Sequence, residues 1–264
     1  MIDRPTLYLR ICPWEQLPAT IREDYPDKPV FLYDNPSDLP ELLETLQDWK
    51  CAVYSGNCFT RKQRADILKH IPPYTEIVAD IVWLPCINEY LTDATILQRL
   101  SRFQMPYYDE GIHTIRVRHN MTEEAQNRFK TTCLLNMEIP HDNSHHRYNI
   151  REHCNLTAHY VAEKGNFVDY SWTMLEAAEY HDVGKPWTRT FTDKKGTISE
   201  EAHYYNHQNI GAWIACGITP TDPLLPWLIS THMDPTLNTK YYRNLPPYLK
   251  TLVDTLHEAD RKAH

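Results

Sequence analysis

Glu179-Tyr180-His181-Asp182-Val183-Gly184-Lys185-Pro186 constrains this chain more than any other stretch. An apolar helical run ends here in Gly and Pro, with a histidine and an aspartate side by side at its end. An adjacent imidazole and carboxylate at a helix end can converge on one divalent cation. Gly184 is expected to take the left-handed conformation that stops a helix, and Pro186 to keep it from resuming. Lys185 leaves a positive charge beside such a cation, where a phosphate oxygen can use it. By itself a His-Asp dipeptide marks no more than a capped helix end, and its weight comes from the residues that accompany it.

Histidine is the compositional outlier. Eleven of the fourteen lie after residue 140, which marks a domain boundary as well as a chemical one. From Tyr148 onward the pattern reads as entirely helical. Asn149 and Glu152 form a capping-box pair opening a helix with His153 in its first turn and Lys164-Gly165 at its close. A second helix begins near Ser171 and delivers His181 and Asp182 at its far end. Asn206 caps a third, whose first residue is His207 and whose buried face is Ile210, Trp213 and Ile214. Asp222-Pro223 opens a fourth, with Leu225, Leu228 and Ile229 as its stripe and His232 near its end. The last starts around Pro246-Pro247 and carries Leu249, Leu252, Val253, Leu256, Ala259 and Asp260 along one face.

Asp260 therefore falls on a face that should be buried, where a carboxylate requires a partner. An Arg or Lys would serve, or a metal. With His153, His181, Asp182, His207 and His232 all at helix ends or in first turns, a metal is the better match. His159, His203 and His257 read as core or surface residues, not ligands.

Before residue 119, strands alternate with helices and predict a small α/β unit. The strands fall at Thr6–Ile11, Val30–Tyr33, Cys51–Tyr54 and Glu76–Leu84. Helical spacing covers Leu39–Trp49, Thr60–His70 (with Thr60 as cap) and Ala94–Phe103. Met121–Met137 has room for a helix, and Ile139–Ser144 reads as linker. The expected architecture is an α/β unit over 1–118, a linker over 119–144 and an all-α helical bundle over 145–264. The net charge of -8 comes with no basic block, which argues against a broad phosphate-binding face. No apolar run approaches a bilayer span, and no basic flank leads into an apolar signal core. Seven cysteines without a C-x-x-C pair imply reduced thiols and a cytoplasmic location rather than a disulfide framework.

Gly56-Asn57-Cys58-Phe59-Thr60-Arg61-Lys62-Gln63-Arg64, with Arg99, Arg102-Phe103-Gln104-Met105-Pro106 and Glu110-Gly111, resembles the second half of polynucleotide-kinase-like P-loop proteins. That resemblance covers about residues 50–118. It implies a helix carrying Arg99 and Arg102 as a lid over phosphates. No G-x-x-x-x-G-K-[ST] exists in the chain, and Ser55 or Gly56 replaces the usual acid, so a degenerate remnant used for binding is expected rather than an active kinase.

A second resemblance runs from about residue 141 onward. Asn143-Ser144-His145-His146-Arg147-Tyr148, His153, His181-Asp182-Val183-Gly184-Lys185-Pro186, His203-Tyr204-Tyr205-Asn206-His207, Gly211-Ala212 and His232-Met233-Asp234-Pro235 stand in order. They resemble the HD superfamily of metal-dependent phosphohydrolases. Within it they are similar to the HD domain of bacterial CCA-adding tRNA nucleotidyltransferases and to RNA-end-healing HD phosphohydrolases. Ser144, Asn206 and Thr231 depart from the usual Pro, Gly and second His.

The resemblance implies that His153, His181, Asp182 and Asp260 hold one cation. Asp182 would bridge to a second cation held by His207 and His232. Lys185, with His146, Arg147 and Arg189, would contact substrate, and Asp182 and Lys185 would carry the chemistry. An imidazole-rich set suits Mn, Fe, Co, Ni or Zn ahead of Mg. The expected reaction is hydrolysis of a phosphoester on a nucleotide or RNA end, 2′,3′-cyclic or 2′-phosphates above all, with no membrane partner. Two alternatives stand beside it: hydrolysis of a free signalling or pool nucleotide, and a non-catalytic protein that binds a nucleotide or partner.

Overall fold

The computed structural model describes residues 4–13, 18–32, 38–56, 58–83, 93–119, 121–144, 146–164 and 170–264. Two compact units account for them, one built from 1–86 with 104–120 and the other from 87–103 with 121–264.

In the first unit β1 (Thr6–Ile11), α1 (Pro18–Asp24), β2 (Val30–Leu32), α2 (Asp38–Gln47), β3 (Ala52–Ser55), α3 (Arg61–Leu68) and β4 (Glu76–Val82) alternate as the sequence predicts. A further strand, β5, follows α4 (Ala94–Leu100) at Thr114–Arg118. The sheet is wholly parallel in the order β2-β3-β1-β4-β5. β3 is buried throughout and β4 nearly so, because helices cover parallel strands on both faces. α3 starts with a complete capping box between Thr60 and Gln63. Arg64, in the kinase-like stretch, serves the fold. Its guanidinium is fully buried, grips the two Glu110 oxygens at 2.7 Å each, and donates to the carbonyls of Cys58 and Phe59. Asn57, Tyr33 and Leu84 lie outside the described residues.

The second unit contains α5 (Glu123–Asn136), α6 (Ile150–Lys164), α7 (Ser171–Tyr180), the single-turn α8 (Lys185–Thr188), α9 (His207–Ile218), α10 (Leu224–Thr231) and α11 (Pro247–Lys262). Two short helical turns lie between α10 and α11. Every residue of α9 and α10 is buried, which makes this pair the centre of the unit. α4, expected as a lid on the first unit, belongs here instead. Asn209 donates to the Ser101 carbonyl at 2.7 Å, and Phe103 meets Trp213 edge-on at 5.2 Å.

The region is not all-α. β6 (Arg189–Thr192) and β7 (Ile198–Tyr204) form an antiparallel hairpin, so the expectation of uninterrupted helix after Tyr148 is corrected. Thr190, Phe191 and Thr192 favour extended backbone, and Asp193 holds the turn by accepting from the Lys195 and Thr197 amides. Among the described residues no helix is long and apolar enough to cross a membrane.

Candidate metal centre

Three helix ends and two helix starts converge in the second unit. Asn149 accepts from the Glu152 amide at 2.8 Å while Glu152 reaches back to the Asn149 amide at 3.1 Å, and this box sets the first turn that holds His153. His181 is the C-cap of α7, with Asp182 directly after it. His207 is the first residue of α9, His232 the C-cap of α10, and Asp260 lies in the last turn of α11. All six are buried.

Two local expectations are corrected at these ends. Gly184 is right-handed (φ -80, ψ -15), not left-handed, and a helix does resume after it, with Pro186 in the first turn where its missing N–H costs nothing. Glycine is required for closeness: a Cβ would stand 2.1 Å from the His207 carbonyl oxygen and 2.7 Å from the Gly211 nitrogen. Asn206 makes no side-chain cap. It is left-handed (φ 59, ψ 25), a conformation Asn tolerates better than most residues, and it turns the chain from β7 into α9.

The imidazoles share one device. The Nδ1 of His181, His207 and His232 faces the carbonyl three residues earlier (Ala178, Tyr204 and Ile229) at 2.8, 2.9 and 2.7 Å. A carbonyl only accepts, so Nδ1 carries the proton and Nε2 presents its lone pair inward. His153 and His181 then face each other Nε2 to Nε2 at 3.3 Å, as do His207 and His232. Two lone pairs at that distance repel unless a proton or a cation stands between them. This donor set fits a metal.

The carboxylates complete two overlapping groups. Asp260 Oδ1 lies 2.9 Å from His153 Nε2 and 3.4 Å from His181 Nε2. Asp182 faces both ways: Oδ2 is 3.3 Å from His181 and 3.6 Å from His153, while Oδ1 is 3.2 Å from His207. His153, His181 and Asp260 form one possible ligand group, and Asp182, His207 and His232 another. Buried His, Asp and Cys side chains that could hold a metal ion are thus present.

Burial shapes the proton equilibria. Desolvation pushes His232 down to about 3 and also lowers His153. Burial works against charge on His181 and Asp182 as well. Their contact nevertheless wins, raising His181 well above its ordinary value and, with Lys185, holding Asp182 well below. Burial likewise opposes the Asp260 charge, but hydrogen bonds from His153 and His181 keep that carboxyl low. Without a cation, a proton does its work on His181, and metal binding would release it.

Of the residues expected at substrate, Lys185 is at the centre, with Nζ 2.6 Å from Asp182 Oδ2. His146 lies on the rim, its ring 4.9 Å from that of His153, and burial together with Lys185 lowers it to about 2. Arg147 is exposed, and Arg189 on β6 is ion-paired with Asp142, so neither bonds to the six buried residues. His145 lies outside the described residues. His159 pairs with Glu163, His203 stacks on Tyr205, and His257 bonds the His232 carbonyl, so none of the three faces the ligand groups.

Three neighbours escaped the sequence reading. Cys154 Sγ is 3.6 Å from His181 Nδ1, and His264 Nε2 is 3.5 Å from Asp260. His141, in the stretch read as linker, puts Nε2 3.1 Å from Lys185 Nζ. Cys154 follows His153 on a helix legible in the sequence, whereas His141 lies in an irregular loop with no period to mark it. No family model, characterised protein or solved structure matches the chain, and the chemistry of the centre rests on its own geometry.

Proposed function

We propose that the second unit is a metal-dependent phosphohydrolase of the HD type, acting on a phosphoester of a nucleotide or RNA end. The observation that carries this reading is the divided carboxylate of Asp182, one oxygen toward His153 and His181 and the other toward His207. His153, His181 and Asp260 would hold one divalent cation and His207 and His232 a second, with Asp182 shared. Imidazole nitrogen predominates in this set, which favours Mn, Fe, Co, Ni or Zn over Mg. Such a pair of ions would supply Lewis acidity toward a phosphoryl oxygen and a water acidic enough to attack phosphorus.

The chain's own groups do the rest. Carbonyl contacts at Nδ1 turn the Nε2 atoms of His181, His207 and His232 inward before metal arrives, so binding needs the departure of the His181 proton rather than a turn of these rings. Asp182 stays ionised, and Lys185 brings a buried positive charge to its edge for the extra negative charge of the transition state. His146 offers a neutral imidazole at the rim. The favoured substrates are 2′,3′-cyclic and 2′-phosphates of RNA ends.

Purified protein loaded with single divalent metals, assayed against 2′,3′-cyclic, 2′- and 3′-phosphates and free nucleotides, tests this. Opening of cyclic phosphates with two metal equivalents bound is expected. A free nucleotide hydrolysed far more efficiently than any terminal phosphate would replace the RNA-end reading, and no turnover with any metal would leave a binding protein.

A further inference from the structure

We infer that His141 is a positioning residue for Lys185, fixing the ammonium so that one N–H keeps a constant direction within the Asp182 site. Its catalytic consequence rests on the phosphohydrolase reading; its geometry does not.

His141 is almost fully buried, at 1% exposure, and its protonation pattern is dictated by its partners. Nδ1 lies 2.9 Å from the Tyr148 carbonyl, which can only accept, so Nδ1 carries hydrogen. Nε2 lies 3.1 Å from Lys185 Nζ, and an ammonium can only donate, so Nε2 is the acceptor. The ring thus turns one nitrogen to the loop and the other to Lys185.

Its backbone is held as firmly. Tyr204 donates its hydroxyl to the His141 carbonyl, a bridge between Pro140 and Asn149 closes the loop, and the ring stacks on His146 at 3.7 Å and 7°. Asp142, next in sequence, accepts from the Ala202 amide at 2.7 Å and ties the same loop to the hairpin.

Lys185 has three N–H bonds. One goes to Asp182 Oδ2 at 2.6 Å and one to His141 Nε2 at 3.1 Å. Two fixed points stop rotation about the Cε–Nζ bond, so the third N–H points one way. Without His141 the ammonium would keep Asp182 and the face of the Tyr204 ring, 5.4 Å away, and could turn about the Asp182 contact. A donor already aimed where charge develops needs no reorganisation in the transition state. His141 itself stands 3.9 Å from Asp182 Oδ2, and its inward nitrogen is spent on Lys185.

Two substitutions in the full chain separate positioning from mere anchoring. His141→Asn keeps a donor for the Tyr148 carbonyl and removes the acceptor for Lys185. His141→Gln restores an acceptor near the Nε2 position and gives up the Tyr148 contact. The first readout is acylation of Lys185 in metal-free protein by an amine-reactive acetyl ester, located by mass spectrometry. The second is kcat and KM for the best phosphoester, with metal content measured in each variant.

His141→Asn should raise Lys185 acylation and lower kcat about tenfold each, with KM held within about twofold, whereas His141→Gln should stay within about threefold of wild type on both. Protection of Lys185 in His141→Asn equal to wild type, or greater damage in His141→Gln, overturns the inference in favour of a loop anchor. Loss of a metal equivalent in either variant overturns it in favour of a ligand. The expected acylation pattern across the three proteins, with no phosphoester hydrolysed by the wild type, would reject the phosphohydrolase reading instead.

Discussion

Gly184 packs its backbone against the first turn of α9, and no other residue has room there. Gly184→Ala should destabilise the protein by about 3 kcal/mol, read by chemical denaturation, because backbone rather than a mobile side chain blocks the new methyl. The same change pushes on the carbonyl of His207 and should weaken metal retention. Asp182→Ala removes the one residue that faces both ligand groups. It should abolish turnover and strip most bound metal, and elemental analysis giving equal metal in mutant and wild type would sink the two-ion proposal. His207→Ala should release one equivalent and leave the other, since His153, His181 and Asp260 are untouched.

At the scale of elements, α3 and the segment carrying Glu110 are held by one buried ion pair. Arg64→Ala leaves Glu110 without its fork of donors and should cost about 3–5 kcal/mol, measured by denaturant melts. Nucleic-acid affinity lost in a properly folded Arg64 variant would contradict this structural role. The sheet order places β1 at the centre, yet the chain has no Gly-rich loop and P-loop Lys to hold β- and γ-phosphates. Label transfer from γ-labelled ATP to a 5′-hydroxyl end is accordingly expected to be undetectable with purified protein.

The whole molecule should register the centre in its response to pH and chelation. In metal-free protein, His232 titrates at about 3 when folded and ~6.5 when unfolded. The unfolded chain therefore binds the extra proton between those values. Stability is fully present above ~6.5 and is lost as pH falls toward 3, at up to ~1.4 kcal/mol per pH unit. His153 and His146 are lowered too and act in the same direction. Asp182 and Asp260, also held low, add a loss only below ~3.9. His181 has the opposite sign: raised by Asp182, it stabilises below ~6.5 and loses that contribution as pH climbs through its folded value. Thermal melts of chelated protein should thus fall from pH 7 to 4.5, and His232→Gln should flatten that slope. An unchanged slope would mean that His232 is not buried neutral. Adding back Mn or Zn at pH 7 should raise the melting temperature and release protons.

What the sequence determined is what local physics can encode. The helix starts at Asn149 and Thr60, the buried stripe of α11 and the parallel alternation of the first unit are written in capping pairs and hydrophobic period, which need no distant partner. Asp260 was legible for the same reason: a carboxylate on an apolar stripe demands company. Only the tertiary structure decided what close approach and irregular backbone decide. Gly184 read as a helix stop and proved to be a contact point, because the neighbour that requires it is His207, far along the chain. Thr190–Thr192 carry too little pattern to interrupt a helical expectation, because the hairpin is short and its partner strand mostly polar. His141 sits in a loop with no period to reveal it, and its importance comes from Lys185, which lies 44 residues away. Helix ends announced six of the residues in the centre; which of their atoms meet was fixed by packing.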